Sequence, residues 1–156
     1  MVQILRVEDY GTPAVVAKHM EESGLSTINM KEVYYRIILD MMRLEEEIWK
    51  SGGRRGGGSW AKLAEATVRK KGHDTILIET DKLFNSVTKL DAPYQILQVE
   101  PNDFTFGTYR PGATTHEYGR GYVPARPFMR FTPYDHSRWA SWMLDHITAS
   151  LKKPTI

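Results

Sequence analysis

One acid–imidazole pair, His116-Glu117, and five histidines in all raise the question of catalysis in this 156-residue chain. An imidazole beside a carboxylate is the material of an acid/base couple or of part of a metal ligand set. The spacing speaks against both. Neighbouring residues of an extended chain point to opposite faces, and the helical pattern His-Glu-x-x-His does not occur. His19, His73, His136 and His146 stand at no ligand spacing from a partner. The sequence has no nucleophile elbow, no phosphate-binding loop with its lysine and no paired-carboxylate signature. Cysteine is absent, which removes disulfides and thiolate metal sites and fits a reducing compartment. The expectation is a protein without enzymatic activity, cofactor or metal, and a metal-dependent hydrolase around His116 and Glu117 is the weaker alternative.

A second chemistry is offered by Arg54 and Arg55, set among glycines between Ser51 and Ser59. Arginine–glycine tracts bind single-stranded nucleic acid through charge and stacking. This tract has one copy and no aromatic residue before Trp60, so a nucleic-acid-binding module is the alternative rather than the leading reading. Nothing in residues 51–59 offers a packing side chain, which predicts a flexible Gly/Arg loop at an interface, with Trp60 anchoring the chain behind it. The net charge of +2 is too small to argue for a polyanionic partner, but its distribution is uneven. From Glu21 to Glu47 there are seven acids and three bases, and from Lys50 to Lys71 seven bases and one acid. Segments of opposite sign can pair within the fold or between subunits.

The third feature is the kernel Pro124-Ala125-Arg126-Pro127-Phe128. Two prolines three residues apart bias Val123 and Arg126 towards extended conformations and remove two backbone donors. That predicts a stiff lead-in to a short strand over Phe128 to Phe131, with Gly119 and Gly121 supplying turn freedom before it. An element of this kind suits presentation to a neighbour. Arg126 is expected to be held by a carboxylate, Glu117 first.

The elements that must position these groups follow from periodicity. Residues 3–7 read as a short strand or an arm. Thr12-Pro13 starts a helix that Gly24 stops. From Met30 to Lys50 apolar residues recur at helical spacing, capped by Asn29 and ended by Gly52-Gly53; this stripe must pack on a sheet or on another subunit, with Glu45-Glu46-Glu47 on its solvated face. Leu63 to Lys71 reads as a basic helix closed by Gly72, Thr75 to Glu79 as a brief strand, and Thr80 as the cap of a helical turn through Ser86. Ile96 to Val99 and Phe104 to Tyr109 read as strands, and Tyr134 to Leu151 as a closing helix. Tryptophans and the Met41-Met42 pair belong to the core. The fold class is α+β: a long N-terminal amphipathic helix and short helices on a mainly antiparallel β-sheet, with a C-terminal helix. Length predicts a single domain, 1–156. The N-terminus does not read as a secretory signal, and no apolar run approaches the ~20 residues of a membrane helix.

Four pieces recur in a recognisable order. They are the Gly52 to Gly58 loop leading through Ser59-Trp60-Ala61-Lys62-Leu63 to Thr67-Val68-Arg69-Lys70-Lys71-Gly72, then Ile76-Leu77 with Thr80 and Leu83-Phe84-Asn85-Ser86. The histidine–aromatic–glycine turn His116 to Gly119 and the Pro124 to Phe128 box complete the set. From about Met30 to Leu151 the chain resembles the phage virion morphogenesis and tail-completion family of head–tail joining proteins. Residues 1–29 count as an N-terminal extension only in that they precede this stretch. The resemblance implies a structural virion protein of the neck, assembled in the host cytoplasm. It would form a ring, generally hexameric, that caps the head-proximal end of the tail tube and joins it to a stopper or connector protein. Tail terminator and tail-completion protein both remain open. DNA would be passing cargo and membranes no partner. Implied interface residues are Arg54, Arg55, Trp60, His116, Glu117, Pro124, Arg126, Pro127 and Phe128, with the Gly/Arg loop facing the lumen or the adjoining ring and ordering on docking.

Overall fold

Thr12-Pro13 opens the first helix, α1 (Thr12–Glu22), in a computed structural model that describes residues 12–152. Gly24, in the left-handed region at φ 69°, ends the turn behind it, and Leu25 N–H closes onto Met20 O at 2.9 Å. The strand or arm read over residues 3–7 lies outside the described residues. Helix α2 (Lys31–Lys50) follows the predicted period: Val33, Tyr34, Ile37, Ile38, Met41, Leu44 and Ile48 are buried. Asn29 sits one residue ahead of the capping position, where its Oδ1 accepts the Lys31 N–H at 3.0 Å. Each fully buried aliphatic side chain of this stripe contributes about 1.5–3 kcal/mol to folding.

After the glycine segment come α3 (Glu65–Lys71), closed by Gly72 as expected, and α4 (Lys82–Thr88). Strands β1 (Gln95–Val99) and β2 (Phe104–Thr108) form an antiparallel hairpin that places Leu97 opposite Phe106 and Val99 opposite Phe104. Helix α5 (Ala113–Tyr118) and helix α6 (Pro133–Leu151) complete the chain. The fold is α+β: α2 packs on α4, on α6 and on the hairpin, while α1 lies along α6. The long stripe is thus covered inside the subunit. Trp139, Met143, Phe106, Phe128 and Val87 close the core around it. Among the described residues no helix is long and apolar enough to cross a membrane.

Three expected elements are corrected. Residues 75–79 form no strand, because Leu77 adopts φ 59°, incompatible with extended pairing; Ile76, Leu77 and Ile78 instead pack on the core as an irregular segment. Thr80 does not cap α4: Asp81 holds the capping position at φ 54° without a side-chain bond. Residues 128–131 are not a strand either, since Glu117 takes up the Phe128 and Met129 amides that a neighbouring strand would need. The sheet is therefore two-stranded among the described residues, and His116-Glu117 lies on a helix rather than on extended chain.

Candidate functional site

Segments distant in sequence meet at the proline kernel. Arg126 N–H donates to His116 O at 2.6 Å, fixing the kernel along the end of α5. The Arg126 side chain reaches the other way, donating from Nε to Ala61 O at 2.9 Å and from Nη2 to Lys62 O at 3.2 Å. One residue on, Pro127 O accepts the Trp60 indole N–H at 2.8 Å. Glu117 Oε2 accepts the amides of Phe128 at 2.8 Å and Met129 at 3.2 Å. The expected Arg126–Glu117 pair is thus corrected. Both side chains fix the kernel, but each does so through backbone groups, because the prolines leave the few remaining amides and carbonyls in need of side-chain partners.

Gly119 makes the close approach possible. At φ 74° it sits so near the kernel that a Cβ would lie 2.9 Å from Ala125 N and 3.0 Å from Val123 O. Phe128, fully buried, then packs on Trp49 with ring centroids 5.9 Å apart, and Trp49 meets Trp60 edge to face at 5.4 Å.

The glycine segment is folded, which corrects the expectation that nothing in it packs. Gly53 N–H bonds Ile48 O at 2.9 Å, and Gly53 lies so close to Trp60 that a Cβ would fall 2.5 Å from the indole ring. Residues Arg54–Gly56 form one tight helical turn. From it Arg55 makes a bidentate pair with Asp135, at 2.7 and 3.0 Å, and a further contact to Glu47 at 3.4 Å. Asp135 has no exposed surface and also serves the capping box of α6 with Thr132. Burial pushes its carboxyl up, but the bonds from Arg55 and Thr132 outweigh this and leave it below the ordinary range. Opposite-sign segments therefore pair within the fold here, as Lys50 also does with Glu46. Arg54 stays exposed.

Of the residues expected at an interface, Trp60, Glu117, Arg126 and Phe128 are interior to the subunit. Arg55, His116 and Pro127 are half-buried, and Arg54 and Pro124 are exposed. The outer rim of the kernel is apolar and open: Tyr122 is fully exposed, with Val123 and Tyr118 beside it. Behind this rim lies a cleft of about 480 Å³ whose lining includes Lys62, Lys71, Leu77, His116, Val123 and Arg126. Burial, then Arg126, Lys71 and Arg110, lower the His116 pKa, so its imidazole is neutral at pH 7. Among the described residues no group of three or more histidines and acids converges as a metal site would require. Glu117 and His116, on one turn of α5, serve the amides of the kernel and the cleft respectively.

Glu45 is a correction with consequences. Read as part of a solvated face, it is fully buried, and among the described residues neither carboxyl oxygen has a hydrogen-bond partner. Burial, reinforced by Glu117, raises its pKa well above the ordinary carboxylate value; the Trp49 indole N–H pulls weakly the other way without good geometry. Glu117 is itself raised by burial, against the two amide bonds. A raised folded pKa means that the native state keeps a proton which the unfolded chain releases near pH ~4.3. This contribution is complete below that pH and is lost as pH rises towards the folded value. Glu45→Gln is accordingly expected to stabilise the protein at pH 7.5, and to flatten the fall in denaturation midpoint between pH 4.5 and 7.5. An unchanged pH slope in the variant would remove Glu45 as its source.

Sequence reasoning passed over Asp135 and the bridge in which Asp40 accepts from Arg138 and from the Trp139 indole N–H, and it placed Glu45 on the wrong face of its helix. Two of these had a signal. Thr132-Pro133-Tyr134-Asp135 is a capping-box spacing, and position 45 falls four residues after Met41 on the buried stripe. Compared with family models, with curated proteins and with solved structures, the chain matches none.

Proposed function

We propose that the chain is a structural subunit of a phage neck, one that assembles into a ring at the head-proximal end of the tail tube and joins it to the head connector. The observation that carries the reading is the convergence at the kernel. The tryptophan segment, the His116–Gly119 segment and the Pro124 to Phe128 box carry the resemblance, and they are bonded to one another although up to 67 residues apart. Their interior residues stiffen a single exposed rim, Tyr122-Val123-Pro124, which suits a repeated contact between rigid subunits. Buried Trp60, Glu117, Arg126 and Phe128 would shape that contact from beneath. A nucleic-acid role for the Gly/Arg turn loses one of its two arginines to Asp135.

Native mass measurement of the purified protein, alone and mixed with tail-tube subunits, tests the reading. A closed ring, expected to be a hexamer, is the supporting result. A protein that stays monomeric even within assembled tails would overturn it.

A further inference from the structure

Resting on the structural-subunit reading, we propose that the cleft behind the kernel is a carboxylate site, which receives an acidic side chain carried on an extended segment of a protein partner. The cleft holds about 480 Å³, enough for a side chain and the backbone that bears it. Its cations outnumber its acids: Arg126, Lys62 and Lys71 line it against Glu79 alone.

Arg126 is the reason to expect an anion. It is only 6% exposed, yet among the described residues its bonds go to carbonyl oxygens, which satisfy donors without neutralising the charge. Its third guanidinium nitrogen, Nη1, makes no hydrogen bond there. Nη1 is not among the buried unpartnered atoms, so this largely covered guanidinium keeps one N–H open, and a carboxylate matches it through a short charge-assisted bond. His116 lines the same cleft, and among the described residues its buried Nδ1 has no hydrogen-bond partner.

The walls favour a protein side chain over a phosphodiester. Leu63, Leu77, Val123 and Pro124 offer apolar surface to an aliphatic stem, and Glu79 would repel a polyanion threading past it. Charge complementarity of this kind fixes register between subunits.

The test titrates the intact protein with the capped peptide N-acetyl-Ala-Glu-Ala-amide while the His116 ring and Arg126 side-chain NMR signals are followed. Three comparison probes are the same peptide with Gln for Glu, inorganic phosphate and a ten-residue thymidine strand. Saturable shifts with the Glu peptide are expected, absent with the Gln peptide and weaker with phosphate. Lys62→Gln and Lys71→Gln, which change side chains and keep the backbone carbonyls that Arg126 donates to, should each weaken the Glu peptide by about tenfold, the loss of one close charge pair. No saturable shift, or an equal response to the Gln peptide or phosphate, overturns the assignment; tighter binding of the thymidine strand makes the cleft a nucleic-acid site instead. A ring that assembles while the peptide leaves His116 unmoved removes the carboxylate site alone. Peptide binding by a protein that never assembles removes the ring alone.

Discussion

Arg55→Met is expected to lower folding stability by about 3 kcal/mol, the loss that follows from stripping a buried carboxylate of its bidentate partner. Asp135 has no exposed surface, and without Arg55 its remaining carboxylate bonds among the described residues are those from Thr132 and a longer one from Arg138 at 3.3 Å. Arg54→Met, one residue away on exposed surface, is expected to stay within about 0.5 kcal/mol of the parent. Denaturant midpoints of the two variants therefore separate a clamp from a loss of surface charge. The pH response gives a second reading. Because the folded pKa of Asp135 is lowered, its contribution is present above the unfolded value of ~3.9 and disappears as pH falls through the folded one. Arg55→Met should reduce the stability lost on acidification across that window. Equal midpoints for both arginine variants would mean that the pair with Asp135 does not hold the segment.

Phe128→Ala is expected to be the second large effect, about 3–5 kcal/mol, because the ring is fully buried between the kernel and Trp49 and its removal leaves a cavity. Phe128→Leu, which keeps most of the volume, should cost less than about 1.5 kcal/mol. Unfolding followed by tryptophan fluorescence reads both, since Trp49 and Trp60 sit in the same aromatic cluster. A loss below about 1 kcal/mol for the alanine variant would show that the bonds of Arg126 and Glu117 anchor the kernel without its aromatic residue.

Local patterns were legible in the sequence, and distant partners were not. Helix α2 could be read because seven apolar residues repeat at one period, and α6 because Trp139, Met143 and Ile147 do the same. The hairpin was marked by Pro101-Asn102-Asp103 between two apolar runs. The kernel was read as stiff and extended, yet its amides were assigned to a sheet, because nothing near Phe128 announces that a carboxylate eleven residues earlier will take them. The glycine segment was read as unable to pack for a similar reason. Its packing comes from the absence of side chains, which lets Trp60 lie against Gly53, and from an aspartate 80 residues away. Glu45 was assigned by residue type when helical position should have decided it. For the kernel and the glycine segment the surroundings are set by chain that a local window does not include; for Glu45 the local period itself carries the signal.

The Asp135 carboxylate accepts from Thr132 at the first turn of α6 and from Arg55 on the chain leaving α2, so one carboxylate belongs to two structural elements at once. The capping bonds of α6 are local, but their buried carboxylate is fully paired only once a contact of long sequence separation has formed. Such a contact raises contact order, and the closure entropy must be met before the bond is gained. The first turn of α6 and the segment from Gly53 to Trp60 are therefore expected to open as one unit, their amides exchanging with solvent together rather than by independent fraying. Helix end and glycine turn, far apart along the chain, share a single local equilibrium.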